Sequence, residues 1–358
     1  MKRYKLLNNV LGWVVFVIAA VTYILTLEST ASFWDCGEFI ASGYKLEVGH
    51  PPGNPIFMLT ARFFANFASS PSEVAYMVNL MSGLLSAATI LLLFWTITRL
   101  AQKIVLRDGE TEETMSLGQM IAILGCGLVG ALAYAWSDTF WFSAVEGEVY
   151  AYSSFCTALV FWLILKWESV ADLPYANRYI ILIAYIIGVS IAVHLLNLLC
   201  IPAIVLVYYY RKYKNTDLKG SLIALLVSFV LIVLLLYGLV PGFVEVASWV
   251  ELLFVNVFHL PFNSGVVFYF FLIVGVIAWA IYETYAQRSD KLIKISFLIS
   301  IVLVGIPFIG DGYIIGIVLT AALAYYLFTR KKLAVVAMNT ILLSLFVIFI
   351  GFFSYALI

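Results

Sequence analysis

Long apolar runs separated by short polar stretches extend along the whole chain. A run of about 20 apolar residues is long enough to cross the hydrocarbon core of a bilayer as an α-helix. The pattern predicts an all-α polytopic membrane protein forming one transmembrane domain over 1–358. Its eleven predicted spans are 10–27, 75–98, 117–136, 151–167, 179–193, 197–210, 220–240, 265–285, 295–310, 312–328 and 333–356.

The segment 55–68 is apolar but too short for a span, and it carries Arg62 and Asn66. We interpret it as a helix on the membrane surface, because cytoplasmic loops carry an excess of Lys and Arg. With 55–68 kept outside, 18 of the 20 Lys and Arg residues fall at cytoplasmic ends, and only Lys45 and Arg62 remain outside. A crossing at 55–68 would move the 15 later cations to the outer face.

Composition agrees with the membrane class. Hydrophobic residues make up 64% of the chain, charged residues 11%, and the mean hydropathy is +1.05, whereas soluble domains contain about 25% charged residues. The net charge is zero, so no overall field attracts nucleic acid.

The first candidate chemistry follows the first predicted span, in the motif FWDCGEF at 33–39. Asp35 and Glu38 are three residues apart and therefore share a face of a helix. Two carboxylates there can bind a divalent metal ion or take a proton from a hydroxyl nucleophile, and the ring of Trp34 is expected to shield Asp35 from water. The alternative is ordinary acidic charge at a helix start.

The motif GHPPGNP follows at 49–55. An acidic motif after the first span, a His-Pro-Pro-Gly turn, a short surface helix and a second long span resemble membrane glycosyltransferases of the GT-C superfamily. More narrowly, the chain resembles the protein O-mannosyltransferase-related family, whose bacterial members were long catalogued as of unknown function. The resemblance covers roughly the first 210 residues and includes VEGEVYA at 145–151 and VHLLNLL at 193–199.

This resemblance implies transfer of a sugar from a polyprenyl-phosphate carrier to a protein Ser or Thr hydroxyl. By analogy with the family, the sugar would be mannose. It implies a multi-pass protein of the bacterial inner membrane, or of the endoplasmic reticulum in a eukaryote, with its active site outside the cytoplasm. A first-loop acid would be the base, but the Asp-x-x-Glu spacing leaves open whether Asp35 or Glu38 serves. Many relatives continue into a soluble domain, and none is expected in this chain.

A donor phosphate at the outer boundary needs positive partners. Lys45 and Arg62 are the only outer Lys and Arg residues in the predicted topology, and with His50 they are the candidate donor-binding residues. For Lys45 and Arg62 the alternative is an ordinary side chain whose stem lies on apolar surface.

Polar residues of two further outer turns are candidates for the acceptor or for a second acidic site. Glu146 and Glu148, followed by Tyr150, stand at the outer start of a predicted span, where acids also favour a helix N-terminus. His194 and Asn197 lie at a turn between two short spans. Turn chemistry and acceptor binding are equally compatible with that pair.

Two other functions fit a polytopic chain. A transporter or flippase of a lipid-linked or small polar substrate usually places ionisable residues near the membrane midplane, whereas here the acids cluster at one face. The third hypothesis is a non-catalytic scaffold subunit. The pattern does not specify the sugar, the acceptor, the carrier length, metal dependence or the oligomeric state.

The predicted topology puts the loop around Thr111 in the cytoplasm and Ser70 outside. Single cysteines placed at these positions in a cysteine-free background test it with a membrane-impermeant thiol reagent applied to intact cells. We expect labelling of Ser70→Cys and protection of Thr111→Cys, because the two positions lie on opposite sides of one predicted span. The reverse labelling would contradict the topology.

Overall fold

The computed structural model describes residues 2–51, 53–107, 109–308, 313–330 and 332–356, and within them the chain is helical without strands. The helices are α1 Lys2–Leu25, α2 Cys36–Lys45, α3 Pro55–Ala65, α4 Val74–Val105, α5 Leu117–Ala135, α6 Asp138–Ala144, α7 Val149–Val170, α8 Asn177–Ile191, α9 Ile201–Lys212, α10 Leu218–Val233, α11 Val240–Leu252, α12 Ser264–Ala286, α13 Asp290–Leu303, α14 Tyr313–Thr329 and α15 Val335–Phe352. The predicted all-α polytopic fold class is confirmed.

Eight of the eleven predicted spans coincide with helical stretches long and apolar enough to cross a membrane, counted over the described residues. The other three, at 179–193, 295–310 and 312–328, coincide with α8, α13 and α14, which have 15, 14 and 17 residues. At about 1.5 Å per residue these helices measure roughly 21 to 26 Å, less than the roughly 30 Å of a typical hydrocarbon core. The total of eleven spans stays a prediction.

The predicted boundary at 240 is absent. Helical structure runs unbroken from Leu218 to Val257, over 40 residues, through π-helical segments at Leu234–Leu239 and Leu253–Val257. Pro241 has no N–H and would break a regular helix, but it falls in the first turn of α11 directly after a π segment, where the hydrogen-bond register has already shifted.

Contacts divide the described chain into two compact units. The first comprises 2–200 and 348–356, and the second comprises 201–347. Every candidate site residue belongs to the first unit. The single domain over 1–358 stays a prediction.

Helix α4 is the centre of the first unit and packs against α1, α5 and α7. Its buried side chains Ile90 and Phe94 join Tyr23 of α1 and Ile123 of α5 in one apolar cluster. The Tyr23 hydroxyl donates to the Ala135 carbonyl at 2.9 Å, so the polar end of this fully buried ring is satisfied.

The two short helices of the first loop pack on α4 through a second apolar cluster. Phe39 of α2, Phe57 and Met58 of α3, and Val78 of α4 are all buried there. A Cβ on Gly43 would lie 2.7 Å from the Cβ of Ala61, so α2 and α3 approach closely. Because α2 and α3 bury their apolar faces, the acidic start of α2 is held in position by packing.

Candidate active site

The acidic motif forms the start of α2. Asp35 is the N-cap residue, but its side chain makes no capping hydrogen bond, and Glu38 lies in the first turn. Both side chains are exposed. The Asp35 carboxylate is therefore available to a substrate.

Glu38 is held by His50, from the turn between α2 and α3. Its carboxylate accepts the His50 backbone N–H at 2.6 Å and lies 3.1 Å from His50 Nδ1. These hydrogen bonds favour the ionised form and lower the pKa of Glu38 below its ordinary value. A Cβ on Gly49 would lie 3.2 Å from Glu38 Oε1, so a glycine there lets the backbone approach the carboxylate. Glu38 is consequently a weaker base than an unpaired glutamate.

Asp35, Glu38 and His50 converge, and the ligand atoms they offer lie within 4.8 Å of one another. Two carboxylates and one imidazole are a donor set that suits divalent metal ions such as Mn²⁺ or Zn²⁺. Three protein ligands would leave positions open for substrate oxygens. The residues present thus fit a divalent cation.

The second outer turn contributes two buried carboxylates. Glu146 and Glu148 are 4% and 5% exposed, and Glu148 caps α7 by accepting the Val149 N–H at 3.2 Å. Burial, and then the negative charges of Glu146 and Asp35, raise the pKa of Glu148 to about 7. Glu148 therefore changes protonation near neutral pH beside Asp35.

Asn79, buried in α4, fixes the first loop against α4. Its side-chain amide donates to the carbonyls of Glu28 at 2.8 Å and Thr30 at 3.1 Å. The Glu28 N–H donates to the Val145 carbonyl at 3.1 Å, which ties the first loop to the second. A Cβ on Gly147 would lie 3.0 Å from Asn79 Oδ1.

A second hydrogen bond between the first and second loops runs from the Ser32 hydroxyl to the Glu146 carboxylate. Sequence reasoning missed both Ser32 and Asn79. A buried asparagine inside an apolar span was the available signal for Asn79, because polar groups in spans are costly unless they have a role. No local pattern distinguishes Ser32.

The expected shielding of Asp35 by Trp34 is wrong. Trp34 is 88% exposed and has a φ of 61°, so its ring does not cover the exposed Asp35 carboxylate. The neighbouring Phe33 side chain is also exposed. The carboxyl groups whose pKa burial raises are those of Glu146 and Glu148.

Lys45 and Arg62 lie at the other end of α2 from the acids. Lys45 is the last residue of that helix and is 3.9 Å from Glu47. Arg62 donates to the Tyr44 carbonyl and sits over the Tyr44 ring at 5.2 Å. A ten-residue helix is roughly 15 Å long, so the structure does not bring either cation to Asp35. His50 is the predicted donor-binding residue that does lie beside the acids.

The candidate acceptor residues separate into two groups. The Tyr150 and His194 ring centroids are 5.5 Å apart. Tyr150 is the second residue of α7, whose N-cap is Glu148, so His194 lies beside the start of this helix. Asn197 is 1% exposed, and its Oδ1 accepts from Thr157 at 3.3 Å and from the Cys200 thiol at 3.2 Å. The structure thus places Asn197 in the interior of the unit.

Comparison with known proteins gives one consistent family. The family model for the protein O-mannosyl-transferase TMEM260 N-terminal domain matches residues 35–217. Protein O-mannosyl-transferase TMEM260 of Mus musculus is 27% identical over 209 residues, which cover 58% of this chain and 27% of the relative. Protein O-mannosyl-transferase tmem260 of Dictyostelium discoideum is 23% identical over 149 residues, covering 41% and 16%.

The chain therefore matches about a quarter or less of the length of these relatives. No solved structure matches the chain significantly. The matched region contains Asp35, Glu38, His50 and Glu148, so the family match and the acidic cluster coincide.

Proposed function

The chain belongs to the family of the protein O-mannosyl-transferase TMEM260 N-terminal domain, and we propose that it transfers a sugar from a polyprenyl-phosphate carrier to a protein Ser or Thr hydroxyl. Mannose is the sugar that the names of its relatives suggest. The observation that carries the proposal is the convergence of Asp35, Glu38 and His50, with Glu148 alongside, at one end of the helical unit.

The reaction forms a bond between the acceptor oxygen and the anomeric carbon and breaks the bond from that carbon to the phosphate oxygen. The hydroxyl proton passes to a carboxylate, and the lipid leaves as a phosphate monoester. Its phosphate gains one negative charge as the bond breaks. The site must therefore supply a base for the hydroxyl and positive charge or hydrogen-bond donors for the phosphate.

Asp35 is the proposed base. Its carboxylate is exposed and makes no capping hydrogen bond, whereas hydrogen bonds from His50 engage Glu38 and reduce its basicity. Glu38 holds His50 in place, and Glu148 acts on Asp35 through its charge. Tyr150 follows Glu148 by two residues, and its ring centroid lies 5.5 Å from that of His194, which makes these two residues the candidate contacts for the acceptor.

His50 is the proposed partner of the leaving phosphate, because a phosphorus atom is only two bonds from the anomeric carbon and must lie close to the base. Lys45 and Arg62 lie at the far end of α2 from the acids and are not assigned to this phosphate. A divalent cation held by Asp35, Glu38 and His50 would supply further positive charge to the leaving phosphate. Asp35 retains a second carboxylate oxygen for the hydroxyl proton.

The proposed location of this chemistry is the extracytoplasmic side, in the inner membrane of a bacterium or the endoplasmic reticulum of a eukaryote. The distribution of Lys and Arg supports that side. A transporter is less favoured, because the ionisable side chains of the site lie at helix starts in loops and not within the spans.

Removing the proposed base should abolish transfer. We expect Asp35→Asn to lower the rate by about 10²–10⁴-fold, the usual contribution of general-base catalysis, with donor binding retained. Glu38→Gln should lower it less, because the Glu38 carboxylate is not the base and acts through His50 and the proposed metal site. The measurement is transfer of radiolabelled mannose from a polyprenyl-phosphate donor to a Ser/Thr peptide by purified protein in detergent.

The matched control is Glu47→Gln, which removes an exposed carboxylate of the same loop that only approaches Lys45. It should keep wild-type turnover. An Asp35→Asn enzyme with wild-type activity would end the assignment, and selective inactivity of Glu38→Gln would move the base to that residue.

Glu148 should give the transfer rate a pH dependence near neutrality. Its pKa of about 7 means that it ionises as the pH rises through 7, and its new negative charge then favours transfer of the hydroxyl proton to the neighbouring acidic site. The wild-type rate should rise severalfold between pH 6 and 8, and Glu148→Gln should flatten that rise while keeping measurable activity. A rate that falls over this range would contradict the role, and complete inactivity of Glu148→Gln would identify Glu148 as the base.

The three-residue donor set should bind Mn²⁺. We expect the affinity of the detergent-solubilised protein, measured by electron paramagnetic resonance of free Mn²⁺, to fall at least tenfold in His50→Ala and Glu38→Gln. Glu47→Gln should bind like the wild type. Chelation by EDTA should slow transfer, and Mn²⁺ should restore it. Equal Mn²⁺ binding by the wild type and both site variants would show that these residues hold no metal.

A further inference from the structure

A polar cavity of about 470 Å³ lies in the first unit among α1, α4, α7 and the loop before α5. It does not belong to the acidic site. Trp95 and Gln102, which line it, follow Asn79 on α4 by 16 and 23 residues, or roughly 24 and 35 Å along the helix. Since Asn79 anchors the acidic loops, the two sites are about one membrane thickness apart.

Positive charge predominates around this cavity. Among the described lining residues, three carry a positive charge, Lys5, Arg99 and Lys166, and one carries a negative charge, Glu112. Glu112 is 3.7 Å from Lys5, which leaves Arg99 and Lys166 as the excess.

One neighbouring acid also faces this group. Glu168 lies 3.6 Å from Arg99 and 2.7 Å from Lys103. Its charge is thus shared between two cations, and Lys103 contributes a further positive charge. With both acids and all four cations counted, the surroundings of the cavity keep an excess of two positive charges.

The remaining walls combine aromatic rings with an unpaired polar atom. The Trp95 and Trp162 ring centroids are 5.9 Å apart, and Lys166 Nζ lies 5.0 Å from the Trp162 ring centroid. Asn8 Oδ1 is buried and has no hydrogen-bond partner, which is costly for a polar atom unless a ligand donates to it. The lining therefore suits an anion that also carries a hydroxyl group.

The helices that line the cavity also expose apolar side chains, among them Leu6 and Trp13 on α1 and Leu100 on α4. Tryptophan is enriched where spans meet the headgroup region, and basic pockets between transmembrane helices bind anionic lipid headgroups. A ligand held here would place a polar head among Arg99, Lys166 and Asn8, with its acyl chains along the exposed apolar helix faces.

We propose that this cavity binds the headgroup of an anionic phospholipid bearing a free hydroxyl, such as phosphatidylglycerol. Its phosphate lies between Arg99 and Lys166, and a headgroup hydroxyl donates to Asn8 Oδ1. This lipid site is separate from the proposed transfer reaction. It occupies the end of the unit that the positive-inside pattern assigns to the cytoplasm.

Native mass spectrometry of the delipidated full-length chain tests the site. Phosphatidylglycerol should bind with at least tenfold higher affinity than phosphatidylcholine, whose headgroup has no net charge and no hydroxyl. Lys166→Gln should weaken phosphatidylglycerol binding severalfold. Asn8→Ala should also weaken phosphatidylglycerol binding. It should reduce the difference in affinity between phosphatidylglycerol and phosphatidic acid, because phosphatidic acid has no headgroup glycerol hydroxyl that could bond to Asn8.

Arg178→Gln is the matched control. Arg178 lies at the start of α8, sits 5.1 Å from the Tyr179 ring centroid, and does not line the cavity. The control should bind phosphatidylglycerol like the wild type. Equal weakening by Arg178→Gln and Lys166→Gln would indicate diffuse surface attraction and overturn the proposal.

Competition with soluble glycerol phosphate distinguishes a membrane lipid from a soluble phosphate compound as the ligand of the cavity. If the site holds a membrane lipid, millimolar glycerol phosphate should displace little phosphatidylglycerol, because it lacks the acyl chains. Displacement at micromolar concentration would reassign the cavity to a soluble phosphate ester. Arg99→Gln also removes a partner of Glu168, so its binding is compared only after size-exclusion chromatography shows a monodisperse protein.

Discussion

The buried side-chain amide of Asn79 is the contact on which the outer end of the first unit depends. Its two hydrogen bonds hold the chain at Glu28 and Thr30, and the same segment then bonds to the second loop through Glu28 and Ser32. Each of these polar groups would be costly to bury alone. Together they bring the start of α2 to the start of α7, so that acids more than 100 residues apart share one site.

The helices were predictable because the membrane requirement acts on every residue of a span. Helices α5 and α7 begin and end within three residues of their predicted limits, whereas α4 continues seven residues past the predicted end at 98. The acidic motif at Asp35 and Glu38 was recognisable from a local pattern. The burial of Glu148 was not predictable, because it depends on packing against the first loop. The outward turn of Trp34 depends on a single backbone angle that spacing does not encode, and the helix through Pro241 continues because of a π segment with no sequence signature.

Charge divides the first unit into two chemically different ends. Carboxylates collect where α2 and α7 begin, and Lys and Arg collect around Trp95 and Trp162 at the other end of α4 and α7. The positive-inside pattern explains why the cations gather on one side, but it does not require them to surround a cavity. Among the described residues of the acidic end, His50 is the basic side chain that directly contacts a carboxylate, that of Glu38, so cation binding there would change the balance of charge.

The backbone at Trp34 has an evolutionary consequence. A non-glycine residue in the left-handed region costs about 1–2 kcal/mol relative to the right-handed one, and here it displays a large indole to the surroundings instead of burying it. Neither the torsion angle nor the exposed ring contributes packing within the folded chain. Directed evolution for thermal tolerance alone would therefore favour glycine or asparagine at this position, whereas selection on the organism would retain tryptophan only through what its ring contacts outside the folded chain.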